Sequence, residues 1–106
     1  LIFGCKKKEN TPNEVQNNNQ NPPPFKEIFV DVRTNFEFTT EGHAVCSVNI
    51  PLDSFDKKIP YLKTFNRVNL ACKSGTRAGI ARQKLLDSAY TGEAKNLGAW
   101  QNIQCP

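Results

Sequence analysis

The chain has 106 residues, a formal net charge of +4 and four cysteines. That length accommodates one small domain. The basic residues are dispersed apart from Lys6-Lys7-Lys8 and have few aromatics among them, which argues against nucleic acid as a partner, and no stretch is long and apolar enough to span a bilayer.

Leu1-Ile2-Phe3-Gly4-Cys5 resembles the end of a bacterial lipoprotein signal: an apolar run, a small residue, then Cys. Ile2 and Phe3 stand where Leu and a small residue are usual. The resemblance implies a lipid on Cys5, removal of residues 1–4, and a periplasmic or cell-envelope location with attachment to the membrane. The sequence contains no Met and is read as a piece of a longer product. Residues 6–24 read as a tether, with six Asn, four Pro and one aliphatic residue, Val15. Such a segment buries too little apolar surface to offset its ordering entropy. Pro22-Pro23-Pro24 stiffens its end.

The folded domain is expected over residues 25–106. Ile28-Phe29-Val30-Asp31-Val32 is short, apolar and β-branched, as a buried strand requires. Thr34 is placed to cap a short helix carrying Phe36 and Phe38, which Gly42 would end. Val45 to Ile50 predicts a second strand, closed by Pro51. Residues 53–64 have an amphipathic helical pattern that Pro60 breaks. Val68 to Ala71 predicts the third strand. Residues 76–89 predict the best helix, with Ile80, Ala81, Lys84, Leu85 and Ala89 on the buried face. Residues 93–97 predict a last strand, ending at Gly98. Strands alternating with helices indicate an α/β domain: a mainly parallel sheet of about four strands flanked by helices.

The chemistry concentrates at Cys72-Lys73-Ser74-Gly75-Thr76-Arg77, between the third strand and the best helix. The loop amides and the first free N–H groups of that helix can converge on one point and favour anions and thiolates. A nucleophilic cysteine needs this, because the thiolate is the reactive form. Gly75 permits a tight turn, Ser74 and Thr76 offer hydroxyl donors, and Lys73 and Arg77 add positive charge. The other three cysteines, Cys5, Cys46 and Cys105, have no zinc spacing, and the single His43 completes no ligand set, so no metal is expected. An oxidising compartment would permit a Cys46–Cys105 bridge; two separate buried thiols are the expected state.

Four segments, in order, resemble the rhodanese-homology domain of the small single-domain exported type. They are Asp31-Val32-Arg33 with Phe36-Glu37-Phe38; Gly42-His43-Ala44-Val45 with Val48-Asn49-Ile50-Pro51; Cys72 to Arg77; and Asn96-Leu97-Gly98-Ala99-Trp100. Two positions depart from the family pattern, Cys46 and Ala99, where Gly is usual. The resemblance implies a thiosulfate sulfurtransferase without a cofactor. Cys72 would be the catalytic nucleophile, passing a sulfane sulfur from a small donor anion to a thiophilic acceptor through a persulfide. Residues Lys73, Ser74, Gly75, Thr76 and Arg77 would bind the donor. The six-residue loop matches the sulfurtransferase form rather than the longer loop of the related phosphatases. Asp31 and Arg33 read as a structural pair near the site, with a catalytic role as the alternative. His43 reads as structural, and Trp100 either packs at the domain's end or walls the pocket. A second function stays open, a persulfide carrier or redox-sensing module that delivers sulfur to a protein partner.

Overall fold

The computed structural model describes residues 23–106. Cys5 and the tether before residue 23 lie outside the described residues.

Strand β1 (Glu27–Asp31) is followed by helix α1 (Asn35–Thr40), strand β2 (Ser47–Asn49), a 3-10 turn (Leu52–Ser54) and helix α2 (Phe55–Leu62). Strand β3 (Arg67–Cys72), helix α3 (Thr76–Asp87), strand β4 (Glu93–Ala99) and a second 3-10 turn (Trp100–Asn102) complete the domain. The four strands form one sheet in the order β2-β1-β3-β4, and every pairing is parallel. This is the expected α/β architecture.

The chain lays β2 on one side of β1, then crosses back to place β3 and β4 on the other. The order therefore reverses between β1 and β3. In open parallel sheets a crevice forms there, beyond the carboxyl ends of the strands. Asp31 ends β1 and Cys72 ends β3, so the topology itself brings the first and third sequence motifs together.

Alternation along the strands separates the two faces of the sheet. Ile28, Val30 and Val32, with Val68, Leu70 and Cys72, belong to the apolar core that includes Phe55, Ile59 and Leu62 of α2 and Ala78, Ala81 and Leu85 of α3. The opposite phase carries Asp31, Arg33 and Asn69, polar residues that are nonetheless buried. At the amino end of the sheet Arg67 bridges Glu27 at 3.0 Å and Glu93 at 2.7 Å, closing three strands together.

The structure corrects several expectations. The buried stripe of α3 is Ala78, Ala81 and Leu85, while Ile80 is 47% exposed. At roughly 100° per residue, Ile80 points about 200° away from Ala78. Lys84 is only half-buried, and its ammonium pairs with Asp56; Ala89 lies beyond the helix, exposed, at φ +62°. Pro60 does not break α2. It removes one N–H two residues before the helix end, and three buried residues, Phe55, Ile59 and Leu62, hold the helix to the core. Cys46 and Cys105 are joined as a disulfide across 59 residues of sequence, not held as separate thiols. The last strand also runs on through Gly98 to Ala99.

Candidate active site

Cys72 is the last residue of β3 and is 1% exposed. Its sulfur accepts the Gly75 N–H at 2.9 Å and the Ala78 N–H at 3.4 Å. The chain reaches this arrangement through Gly75, the N-cap of α3, at φ +106°. A side chain there would strain the backbone and bring a Cβ within 3.2 Å of the Gly98 Cα. Burial pushes the Cys72 thiol up, but the N–H groups of Ala78, Gly75, Ser74 and Arg77 outweigh it, and the net shift is downward. The sulfur is thus biased toward thiolate by oriented backbone dipoles at the start of a 12-residue helix. Cys72 is also the one free cysteine among the described residues.

The other loop residues are arranged around that sulfur. Ser74 and Thr76 are exposed, their hydroxyl oxygens 3.5 Å apart. Both loop cations face carboxylates from the α1 segment. Arg77 donates to Glu37 through Nη1 and Nη2, at 2.6 and 3.0 Å, and the Lys73 ammonium lies 3.3 Å from Glu41. Glu37 and Glu41 are four residues apart, so successive turns meet both cations. The net side-chain charge at the loop is therefore close to balanced. The positive potential at the sulfur comes chiefly from peptide N–H groups. Glu37 and Glu41 carried no local signal for this role: the Arg77 pairing spans 40 residues. Thr34 reads from the sequence as the cap of α1, and Glu37 completes a capping box with it.

Asp31 and Arg33 are both fully buried and form a bidentate pair, with Arg33 Nη2 2.7 Å from Asp31 Oδ2 and Nε 2.9 Å from Oδ1. Arg33 Nη2 also donates to the Gly42 carbonyl at 2.7 Å. Its Nη1 has no hydrogen-bond partner among the described residues, and the guanidinium lies 4.9 Å from the centre of the Trp100 ring. Trp100 is half-buried and also lies against Gly42. Asn49 donates to the carbonyls of Asp31 and Arg33, which fixes the bend after β1. His43 stacks on Phe38 with ring centres 3.6 Å apart, and its Nδ1 lies 2.6 Å from the Phe38 carbonyl oxygen. It is held to the end of α1 and is not among the contacts of the Cys72 sulfur.

A recess of about 80 Å³ opens at the carboxyl edge of the sheet, lined by Val32, Thr34, Pro51, Leu52, Asp53 and Arg77. It shares Arg77 with the loop, while Cys72 does not line it. No group of three or more His, Cys, Asp or Glu side chains is placed to hold a metal among the described residues.

The comparisons agree with this geometry. The rhodanese-like domain family matches residues 11–104. Among solved structures the chain is similar to a rhodanese with anions from E. coli, at 27% identity and a TM-score of 0.64, covering 76% of this chain and 94% of that one. It is also similar to the human single-domain sulfurtransferase TSTD1, at 20% identity and a TM-score of 0.58 over 73% of this chain and 80% of that one. An uncharacterised protein from Saccharomyces cerevisiae matches at 21% identity and a TM-score of 0.57, over 73% of this chain and 74% of that one. The last two likenesses concern the fold. No curated protein matches the chain. The chain belongs to the rhodanese-like domain family.

Proposed function

We propose that this rhodanese-like chain is a thiosulfate sulfurtransferase that carries a sulfane sulfur as a persulfide on Cys72. The observation that carries the reading is the convergence of the Gly75 and Ala78 N–H groups on a buried sulfur whose thiol pKa is lowered. The likeness to a rhodanese from E. coli over most of both chains supports it.

In the first half-reaction the Cys72 thiolate attacks the outer sulfur of thiosulfate. A new S–S bond forms, the sulfur–sulfur bond of thiosulfate breaks, and its electron pair leaves with sulfite. In the second, the acceptor attacks the outer sulfur of the persulfide. With cyanide, a carbon–sulfur bond forms, thiocyanate departs and the thiolate returns with the electron pair of the broken S–S bond. No external oxidant is needed, no general base is required once the thiolate exists, and the kinetics are ping-pong. The loop N–H groups stabilise the negative charge on sulfur before and after each step. Ser74 and Thr76 would donate hydroxyl hydrogen bonds to the donor anion, with Lys73 and Arg77 contributing only as far as their carboxylate partners leave them free.

A second reading, a persulfide carrier or redox-sensing module serving a protein partner, is favoured by one feature. Both loop cations are paired to Glu37 and Glu41, which weakens long-range attraction for a small dianion. Intact mass after incubation with thiosulfate separates the readings. The parent should gain about one sulfur atom, reversibly by reductant, and Cys72→Ser should gain none. Discharge by cyanide marks the enzyme and resistance to cyanide marks the carrier. An equal gain on Cys72→Ser would end both. The proposal extends to a bacterial cell-envelope location with a lipid on Cys5, supported by Leu1-Ile2-Phe3-Gly4-Cys5 and the tether that follows. Metabolic labelling with palmitate should mark the wild type and spare Cys5→Ser; an unlabelled wild type rules the anchor out.

A further inference from the structure

Strand β4 is irregular where it reaches the active-site loop. Leu70 pairs with Asn96, but the next residue, Ala71, pairs with Gly98, so Leu97 is an extra residue on β4. A bulge of this kind bends a strand and re-aims a neighbouring side chain. Here the side chain is that of Asn96. Its Oδ1 accepts the Gly98 N–H at 2.9 Å, closing a small turn over the bulge, and its Nδ2 donates to the Gly75 carbonyl at 3.0 Å.

Three glycines lie beside this contact, within ordinary van der Waals reach. A Cβ on Gly75 would meet Asn96 Oδ1 at 3.7 Å, a Cβ on Gly79 would meet Asn96 Nδ2 at 3.4 Å, and Gly98 is itself at φ +82°. Asn96 is exposed, and its carboxamide lies between the loop, the first turn of α3 and the bulge. Because Oδ1 is committed to Gly98, the amide orientation is fixed and Nδ2 must face the loop. The Gly75 carbonyl also accepts the Gly79 N–H at 2.9 Å, so two donors hold it.

Gly75 is the residue whose own N–H reaches the Cys72 sulfur. Lacking a Cβ, it has more alternative conformations open to it than its loop neighbours, so its bonds must hold the one it adopts. We propose that Asn96 is a positioning residue that holds Gly75 in its left-handed conformation and so keeps the Gly75 N–H on the sulfur of Cys72. Its side-chain bonds go to Gly75 and Gly98 and not to the sulfur; it acts through the backbone conformation of one residue, Gly75, whose C=O it holds and whose N–H reaches the sulfur. The inference concerns the sulfur site of the proposed sulfurtransferase and deepens that reading.

The test reads thiolate formation directly. Rates of Cys72 alkylation by iodoacetamide are measured against pH for the wild type, Asn96→Ala and Asn66→Ala. Every protein compared also carries Cys5→Ser, and Cys46 and Cys105 are disulfide-bonded, so no other thiol competes with Cys72 under non-reducing conditions. Asn66, whose side chain accepts the Lys26 N–H at the other end of the sheet, controls for general loosening. Asn96→Ala should move the alkylation midpoint up by roughly one pH unit, about a tenfold loss of thiolate at a fixed lower pH. Asn66→Ala should leave it in place. Asn96→Ser, which keeps a short donor, gives the same readout if the alanine variant fails to fold, with a smaller shift expected. An unshifted midpoint in the folded Asn96 variant, or an equal shift in Asn66→Ala, overturns the proposal. Alkylation needs no sulfur donor, so the result stands whether or not thiosulfate loads Cys72; loading with an unshifted midpoint would sink this inference alone.

Discussion

Glu37 does two jobs that pull on the same carboxylate. It accepts the Thr34 N–H at 3.0 Å in the capping box of α1, and it takes both arms of Arg77. The Arg77 guanidinium, and after it the Thr34 amide, hold its carboxyl down to about 2. A carboxylate with a depressed folded-state pKa stabilises the fold above its unfolded value, here near the ordinary 4.5, and loses that contribution as pH falls toward about 2. Glu37→Gln removes the charge at every pH. The stability gap between wild type and Glu37→Gln should therefore be widest above about pH 5 and close as pH approaches 2. Urea midpoints at a series of pH values check this, and a gap that stays constant across that window would assign the pairing no energetic role. Because Arg77 then faces no counter-charge on α1, the variant should also load thiosulfate more readily than the wild type if the ion pair restrains the cation, as a loading time course by intact mass would show.

At the scale of elements, the sequence was most legible where a residue's role is set by near neighbours. Thr34 announced the start of α1, Gly42 follows its end at φ +92°, and short apolar runs marked β1 and β3. Cys72 with Gly75 marked the loop, because a glycine between a strand and a helix start has a backbone reason to be there. Legibility failed where packing distance decides. The spacing of Ile80, Ala81, Lys84, Leu85 and Ala89 suited one buried face of α3, and Ile80 is not on it. The helix instead presents Ala78 and Ala81, both fully buried, to the sheet. Small residues let its axis approach closely, which brings the Ala78 N–H within reach of the sulfur. Bulk should be harmful on one stripe and harmless on the other. Ala81→Leu should cost roughly 1–3 kcal/mol by overpacking. Ile80→Lys should stay within about 0.5 kcal/mol of the parent, being on the surface. Chemical denaturation of the two variants decides it, and equal losses would mean that the stripe is not where the structure puts it.

At the scale of the molecule, the carboxyl-terminal tail is the part that no local pattern revealed. After β4, at one edge of the sheet, the chain places Trp100 against Arg33 beyond the end of β1, buries Ile103, and bonds Cys105 to Cys46 just before β2, the other edge. The tail thus crosses the face that carries the Asp31–Arg33 pair. The sequence offered a Cys46–Cys105 bridge only as one possibility beside two thiols; choosing between them across 59 residues depends on where the fold places both segments. The bridge also accounts for Cys46 at a position where the family usually has Gly: the residue is the anchor of a strap. A domain this small gains much from such a link, because its core buries a modest share of its surface. Closing a loop of this length restricts the unfolded chain, so the double variant Cys46→Ser/Cys105→Ser should lose roughly 2–4 kcal/mol. Reductant should bring the wild-type urea midpoint down to that of the variant and leave the variant's own midpoint unmoved. If the wild-type midpoint is indifferent to reductant, the strap is held by Trp100 and Ile103 alone and the bridge adds no stability.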